Sequence, residues 1–73
     1  MARFSGQRLR ELRTARGLRR EELAVAVARS YGVEVRWERD FAVPDANDIT
    51  VIAQVLGVDV ADLYDGATAG AVA

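Results

Sequence analysis

Apolar residues in the first third of this chain recur at helical spacing. Leu9 and Leu12 lie three positions apart, and arginines occupy the other faces of the same segment. Leu23 and Val27 repeat at i, i+4 further along. The pattern predicts a first helix from a Ser5 cap to about residue 16 and a second over residues 20–28. Gly17 between them suits the left-handed backbone that ends many helices.

The same spacing continues in the rest of the chain. Ser30 is a candidate cap for a third helix over residues 30–38, and residues 39–47 are rich in loop formers. A fourth helix is expected over residues 48–56, with Asp59 then capping a short fifth.

These five segments predict an all-α, compact five-helix domain over residues 1–65. Leu63 and Tyr64 are expected to pack inward at its end. Residues 66–73 are small and carry no pattern, so we expect a flexible C-terminal tail.

Length and composition exclude several kinds of function. A chain of 73 residues is one domain and buries only about 60% of its unfolded surface. It has no cysteine and no histidine, which removes Cys/His metal sites, Cys/His nucleophile pairs and Ser-His-Asp triads. We therefore expect no enzymatic activity, no cofactor and no small-molecule ligand. No apolar run approaches the roughly 20 residues that span a bilayer, so we expect no membrane partner and a cytoplasmic location.

The charges are divided sharply along the chain. Ten arginines and five glutamates lie in residues 1–39, a balance of +5, whereas residues 40–73 hold six aspartates and no base, a balance of −6. Such asymmetry indicates a half that binds a polyanion and a separate acidic half. The arginines also have a simpler interpretation, as charges that keep helix faces in water.

One short motif carries a family resemblance. Residues 37–39 read Trp-Glu-Arg at the close of the third helical segment, and Pro44 follows. Glu21-Glu22-Leu23-Ala24 precedes this step and Leu56-Gly57-Val58 comes after it, and the spacing from Ala24 through Trp37 to Pro44 needs no gap. Over roughly residues 5–64 the chain resembles the Cro/phage-repressor (XRE-like) helix-turn-helix family. The resemblance implies a lambda-repressor-like DNA-binding domain.

The resemblance also implies which residues meet double-stranded DNA. The second and third helices would form the helix-turn-helix, with the third in the major groove. Arg20 would hold a phosphate, Arg36 is the best candidate to read a base, and Arg39 is expected on the backbone. The full set implied at the interface is Arg19, Arg20, Ser30, Tyr31, Val33, Arg36 and Arg39. Trp37 is expected in the core, and Glu38 in an internal ion pair.

Glu34 departs from the family pattern, because it falls where a buried Ile or Val is usual. A buried unpaired carboxylate costs several kcal/mol. Three explanations remain open. Glu34 pairs with Arg29, or the third helix is rotated so that Val33 and Trp37 face inward, or residues 31–33 are themselves the turn.

Together these features predict a sequence-specific transcriptional regulator. We expect it to act as a homodimer on a two-fold symmetric operator, with a dimer surface in the fourth-to-fifth helix region. The apolar residues there are Val51, Val55, Val58, Val60 and Tyr64. The alternative is a helix-turn-helix fold reused as a protein-interaction module, binding a partner regulator through its C-terminal half.

Overall fold

The computed structural model describes residues 2–65 and contains four α-helices closed by a small two-stranded sheet. The elements in chain order are β1 (Arg3–Phe4), α1 (Gly6–Ala15), α2 (Arg20–Ala26), α3 (Tyr31–Glu38), α4 (Ala46–Leu56), a single 3-10 turn (Val60–Leu63) and β2 (Tyr64–Asp65). None of these helices has the length and hydropathy that crossing a bilayer requires. The predicted tail, residues 66–73, lies outside the described residues.

The expected fifth α-helix is a correction. Only one 3-10 turn forms after Asp59, so the five-helix count is wrong. The turn ends at Leu63 because Tyr64 and Asp65 pair antiparallel with β1. Tyr64 lies opposite Phe4, and Asp65 lies opposite Arg3. Two-residue strands carry no alternation that a sequence can reveal, and their pairing joins opposite ends of the domain.

Polar side chains begin three of the helices. Ser5 accepts from the Arg8 amide, Ser30 from the Val33 amide, and Asp45 from the Asp48 amide at 2.8 Å. Because Asp45 is the cap, α4 starts at Ala46, two residues before the predicted position. At the start of α2, where Arg19 offers no acceptor, Glu22 compensates by accepting from the Arg19 amide at 2.7 Å.

All four helices end in the same way. Gly17, Ala28, Asp40 and Gly57 have left-handed backbone, with φ between 60° and 71°. The residue after each one donates its amide to the carbonyl five positions earlier, at 2.9 to 3.2 Å. Ala28 therefore ends α2 at Ala26, two residues short of the prediction.

One apolar core unites the elements. Trp37 is 2% exposed, as expected, and belongs to a cluster of buried side chains from β1, all four helices and the 3-10 turn. The other members are Phe4, Leu9, Leu23, Val27, Ile49, Ile52, Ala53, Leu56 and Leu63. Tyr64 packs on the edge of Phe4 with ring centroids 6.4 Å apart, which ties the sheet to this core.

The start of α1 presses against the end of α3. A methyl group at Gly6 would overlap the backbone carbonyls of Trp37 and Glu38. The Gly6 amide donates to Asp40 Oδ1 at 2.8 Å, which uses one unpaired donor at the helix start. A glycine at this position therefore sets how closely α3 approaches α1.

Candidate nucleic-acid interface

The tight turn between α2 and α3 positions the candidate interface. The left-handed Ala28 lets its own amide bond the Val25 carbonyl at 3.1 Å and the Arg29 amide bond the Ala24 carbonyl at 2.9 Å. Ser30 then caps α3. These bonds reverse the chain within a few residues and bring α3 against α2 as a helix-turn-helix.

The outward face of α3 is a strip of three exposed positions. Gly32, Arg36 and Arg39 are spaced four and three residues apart, so they lie on one side of the helix. The opposite side buries Glu34, Trp37 and the Glu38 side chain. Arg36 and Arg39 make one end of the strip positively charged, whereas Gly32 adds no side chain at the other end. Apart from its own helix and chain neighbours, no atom lies within 4 Å of a methyl placed on Gly32, so the surface above it is open.

The two arginines of this strip are available to a ligand. Within residues 2–65 neither Arg36 nor Arg39 forms an ion pair, and both side chains are exposed. Tyr31 flanks them at the start of α3 with 52% of its surface exposed. Val33 is half-buried and packs partly on the core, so only a fraction of it faces outward.

Arg19 and Arg20 extend the basic surface to the start of α2. Arg19 is 76% exposed and lies 3.5 Å from Glu21 and 3.6 Å from Glu22, pairs that solvent weakens. Arg20 is 38% exposed, and its Nε donates to Glu38 Oε1 at 3.2 Å. Its two terminal nitrogens bond no acceptor in the described part of the chain, so they are left for an anion.

Beneath this surface Glu38 joins α3 to α1. Arg13 grips the Glu38 carboxylate with Nε at 2.6 Å and Nη2 at 3.2 Å, while its Nη1 donates to the Leu18 carbonyl at 2.7 Å. Both side chains are nearly inaccessible. The predicted internal ion pair of Glu38 is present, and it holds Arg20 as well.

Glu34 is fully buried beside this pair, which corrects all three sequence explanations. Arg29 pairs elsewhere, α3 is not rotated to place Val33 inward in place of Glu34, and residues 31–33 are helix rather than turn. Neither carboxyl oxygen of Glu34 accepts a hydrogen bond, and Arg13 Nε lies 3.9 Å away. Burial, then a side-chain hydrogen bond with Glu38 and the negative charge of Glu38, raise the pKa of Glu34 to about 8. The group is therefore mostly a neutral acid at pH 7.

Arg29 forms an ion pair that the sequence did not reveal. Its Nε and Nη2 donate to the two oxygens of Asp48 at 2.9 and 3.1 Å, and Asp45 lies 4.0 Å away. An arginine followed by two aspartates some twenty positions later is too weak a signal to predict this pair. Contacts across the fold decide it.

The structure thus gathers the expected residues on neighbouring elements with different roles. The residues exposed on α3 and at its end are Tyr31, Arg36 and Arg39. The start of α2 adds Arg19 and Arg20. Ser30 is exposed, but its hydroxyl already accepts from the Val33 amide and serves as the cap. The arrangement offers an exposed basic surface suited to a polyanion.

The comparisons with known proteins agree with this geometry. Residues 6–64 match the model of a family described as Helix-turn-helix domain. Among solved structures, the restriction-modification controller protein C.AhdI from Aeromonas hydrophila is 36% identical, with a TM-score of 0.76 over 80% of this chain and 88% of that one. No curated protein matches the chain.

Two further solved structures are similar. SinR, described as the master regulator for biofilm formation and solved in complex with DNA, is 27% identical with a TM-score of 0.75, covering 80% of this chain and 97% of that one. The P22 c2 repressor, solved with a synthetic operator, has a TM-score of 0.80 over 88% of this chain and 97% of that one. At 23% identity the P22 comparison concerns the fold alone.

Proposed function

The chain belongs to the helix-turn-helix domain family, and we propose that it regulates transcription by binding a specific DNA sequence with α3 in the major groove. The observation that carries this proposal is the outward strip of α3, where Arg36 and Arg39 are exposed and form no ion pair within residues 2–65. A helix fits the major groove, and arginine to guanine is the commonest specific contact.

The roles divide along the two helices. Arg36 is our candidate for base reading, while Arg20, Arg39 and the exposed Arg19 bind backbone phosphates. Arg20 suits its role because Glu38 fixes its Nε and leaves its terminal nitrogens for phosphate oxygens. Gly32 adds no side chain, so the backbone of α3 can approach the groove closely there, and Tyr31 flanks the contact. Few side chains read bases, so groove shape contributes to specificity.

We propose further that the protein binds as a homodimer to a two-fold symmetric operator. Two such helices would lie about one turn of DNA apart. The expected dimer surface is narrower than the sequence implied, since Val51, Val55, Val58 and Tyr64 pack against the core. Val60 is 42% exposed and is the apolar residue of that set most available to a second copy.

A protein-interaction module is the second candidate. Phe41 is 75% and Val43 71% exposed in the segment between α3 and α4, within the acidic half of the chain. Exposed large apolar side chains that lie close together favour a protein contact. In this candidate the fold binds a partner regulator and not DNA.

The test is selection of binding sequences from random duplex DNA, followed by affinity measurements across a salt series. We expect a two-fold symmetric motif and a log–log salt slope near −0.9 for each phosphate contacted. The matched control is the double variant Arg36→Ala/Arg39→Ala, which removes the charges of the strip and should select no motif.

Two other outcomes would count against the proposal. Absence of binding even at low salt would leave the protein-interaction module as the function. Binding with a steep salt slope but without a selected motif would mean that the protein is a non-specific DNA binder rather than a regulator of chosen genes.

A further inference from the structure

Arg29 and Asp48 form an ion pair that spans the fold from the turn to the start of α4. Arg29 comes immediately before Ser30, the cap of α3, and Asp48 lies in the first turn of α4. The guanidinium fork meets both carboxylate oxygens, at 2.9 and 3.1 Å. The Asp48 side chain is only 11% exposed, so this carboxylate is largely removed from water.

The geometry makes this pair stiffer than an ordinary surface ion pair. Two parallel hydrogen bonds fix orientation as well as distance. The start of α4 favours a negative charge through its helix dipole, and the Asp48 amide is itself held by Asp45 Oδ1. Asp48 is therefore held in one position, and its two hydrogen bonds to Arg29 fix the position of the guanidinium group.

The backbone around Arg29 is constrained at the same point. Its own amide bonds the Ala24 carbonyl at 2.9 Å, and the preceding Ala28 is left-handed. One residue thus connects the end of α2, the start of α3 and, through its side chain, α4. Rotation of α3 about its first turn would break the bonds to Asp48.

We propose that the Arg29–Asp48 ion pair is a positioning element for α3: it fixes the direction in which α3 leaves the turn, and with it the angle at which Tyr31 and Arg36 meet DNA. This inference rests on the proposed function. Arg29 acts through the helix that follows it, and Asp48 acts from outside the DNA surface.

The test compares Arg29→Met, Asp48→Asn and the double variant with the unmodified protein. Methionine keeps a long side chain without the fork, and asparagine keeps the shape of aspartate with only one good acceptor oxygen. The measured quantity is the ratio of affinities for the selected operator and for random DNA. All variants are first shown to be folded at the assay temperature by circular dichroism.

We expect each single variant to lower this ratio about fivefold or more, the size of one lost base contact, and the double variant to lower it no further. The salt slope should stay unchanged. An unchanged ratio with reduced stability would overturn the proposal, because it would make the pair a purely structural link.

Opposite effects of the two single variants would overturn it in another way. If Arg29 itself held a phosphate, Arg29→Met would flatten the salt slope by about one unit, whereas Asp48→Asn would release the guanidinium and strengthen binding to random DNA. The two substitutions act alike only if the pair works as a unit.

A measurement without DNA separates this inference from the proposed function. Amide hydrogen exchange reports local opening, and Val33 and Glu34 donate the first amides of α3 to Ser30. We expect both variants to speed exchange at these two amides by more than at Leu23 in the core of α2. Equal effects at all three would overturn the positioning role even if the protein bound no DNA at all.

Discussion

Arg36 and Arg20 both lie at the candidate interface, but their different surroundings predict different roles in binding DNA. Arg36 is exposed on α3, while Arg20 is held by Glu38 at the start of α2. We expect Arg36→Ala to cost about 1–3 kcal/mol on the operator and to relax the preference at one base position. We expect Arg20→Ala to weaken all sequences alike and to flatten the salt slope by about one unit.

Titrations against the operator and against random DNA, each at several salt concentrations, measure both effects. The two variants control for each other because each removes a single positive charge. If Arg36→Ala lost the same affinity on both DNAs, Arg36 would hold only a phosphate. If the slope were unchanged in Arg20→Ala, Arg20 would lie outside the interface.

Glu34 makes the stability of this domain depend on pH. Its pKa of about 8 in the folded state, raised by burial and then by Glu38, exceeds the value of about 4.3 in an unfolded chain. Between these values the unfolded chain has lost the proton and the folded chain keeps it, so this contribution to stability is complete below about pH 4 and declines as pH rises to about 8. We expect its slope to approach 1.4 kcal/mol per pH unit.

Urea unfolding of the natural protein and of Glu34→Gln from pH 5 to pH 8 isolates this term, since an amide does not ionise. The difference between the two should grow in favour of Glu34→Gln as pH rises. Glu21→Gln, at an exposed position, should show no such trend. A constant difference for Glu34→Gln would mean that Glu34 is ionised throughout, held by Arg13.

At the scale of elements, the left-handed residue that ends α2 lowers the free energy of unfolding of the domain. Ala28 adopts φ 60°, where a residue with a Cβ loses about 1–2 kcal/mol and glycine loses nothing sterically. After allowance for the greater freedom of glycine in the unfolded chain, we expect Ala28→Gly to raise the free energy of unfolding by about 0.5–1 kcal/mol. Equilibrium unfolding in urea measures the change.

Ala26→Gly is the matched control, because Ala26 is the last residue of α2 with ordinary helical backbone. It should lower the free energy of unfolding by up to about 1 kcal/mol. If both substitutions destabilised the domain equally, Ala28 would not be left-handed in solution, and the turn that positions α3 would need a different description.

At the scale of the whole molecule, the proposed homodimer can be tested at Val60. Val60 is the most exposed large apolar residue in the expected dimer region. We predict that Val60→Glu shifts the sedimentation coefficient towards that of a monomer and leaves the free energy of unfolding of the monomer nearly unchanged. A buried charge at an interface without a partner is costly.

Val25→Glu is the control. Val25 is 81% exposed and lies on α2, outside the expected dimer region that contains Val60. It should leave the association state as it is. If Val60→Glu had no effect on association either, the region after α4 would not be the dimer surface. An operator with two half-sites would then require a different contact between the copies.

Much of the fold could be predicted because the signals for helices are local. Leu9 and Leu12, or Leu23 and Val27, reveal a helix by spacing alone. Ser5 and Ser30 mark helix starts through their hydroxyl groups, whereas Gly17 and Gly57 mark helix ends because a residue without a Cβ adopts left-handed backbone easily. Errors arose where an end depended on an unusual residue, as at Ala28. The last segment also differed, because strand pairing with Phe4 left room for only one 3-10 turn.

The helix-turn-helix itself was predictable to the same extent. The Trp-Glu-Arg step and the concentration of arginines before residue 40 identified the helix-turn-helix, and the family and fold comparisons agree with that resemblance. The individual contacts of the seven implied residues with DNA remain predictions. What the structure adds is which of them are exposed and which carry internal bonds as well.

The sequence by itself determined the helical segments, most of their caps, the division into a basic and an acidic half, and the family. These follow from spacing and side-chain chemistry within a few residues. Only the tertiary structure decided which carboxylate each arginine meets: Glu38 for Arg13 and Arg20, and Asp48 for Arg29. It also decided that Glu34 is buried at a place where its carboxyl oxygens accept no hydrogen bond. The physical reason is that burial and ion pairing depend on distances between helices far apart in the chain, which no local pattern encodes.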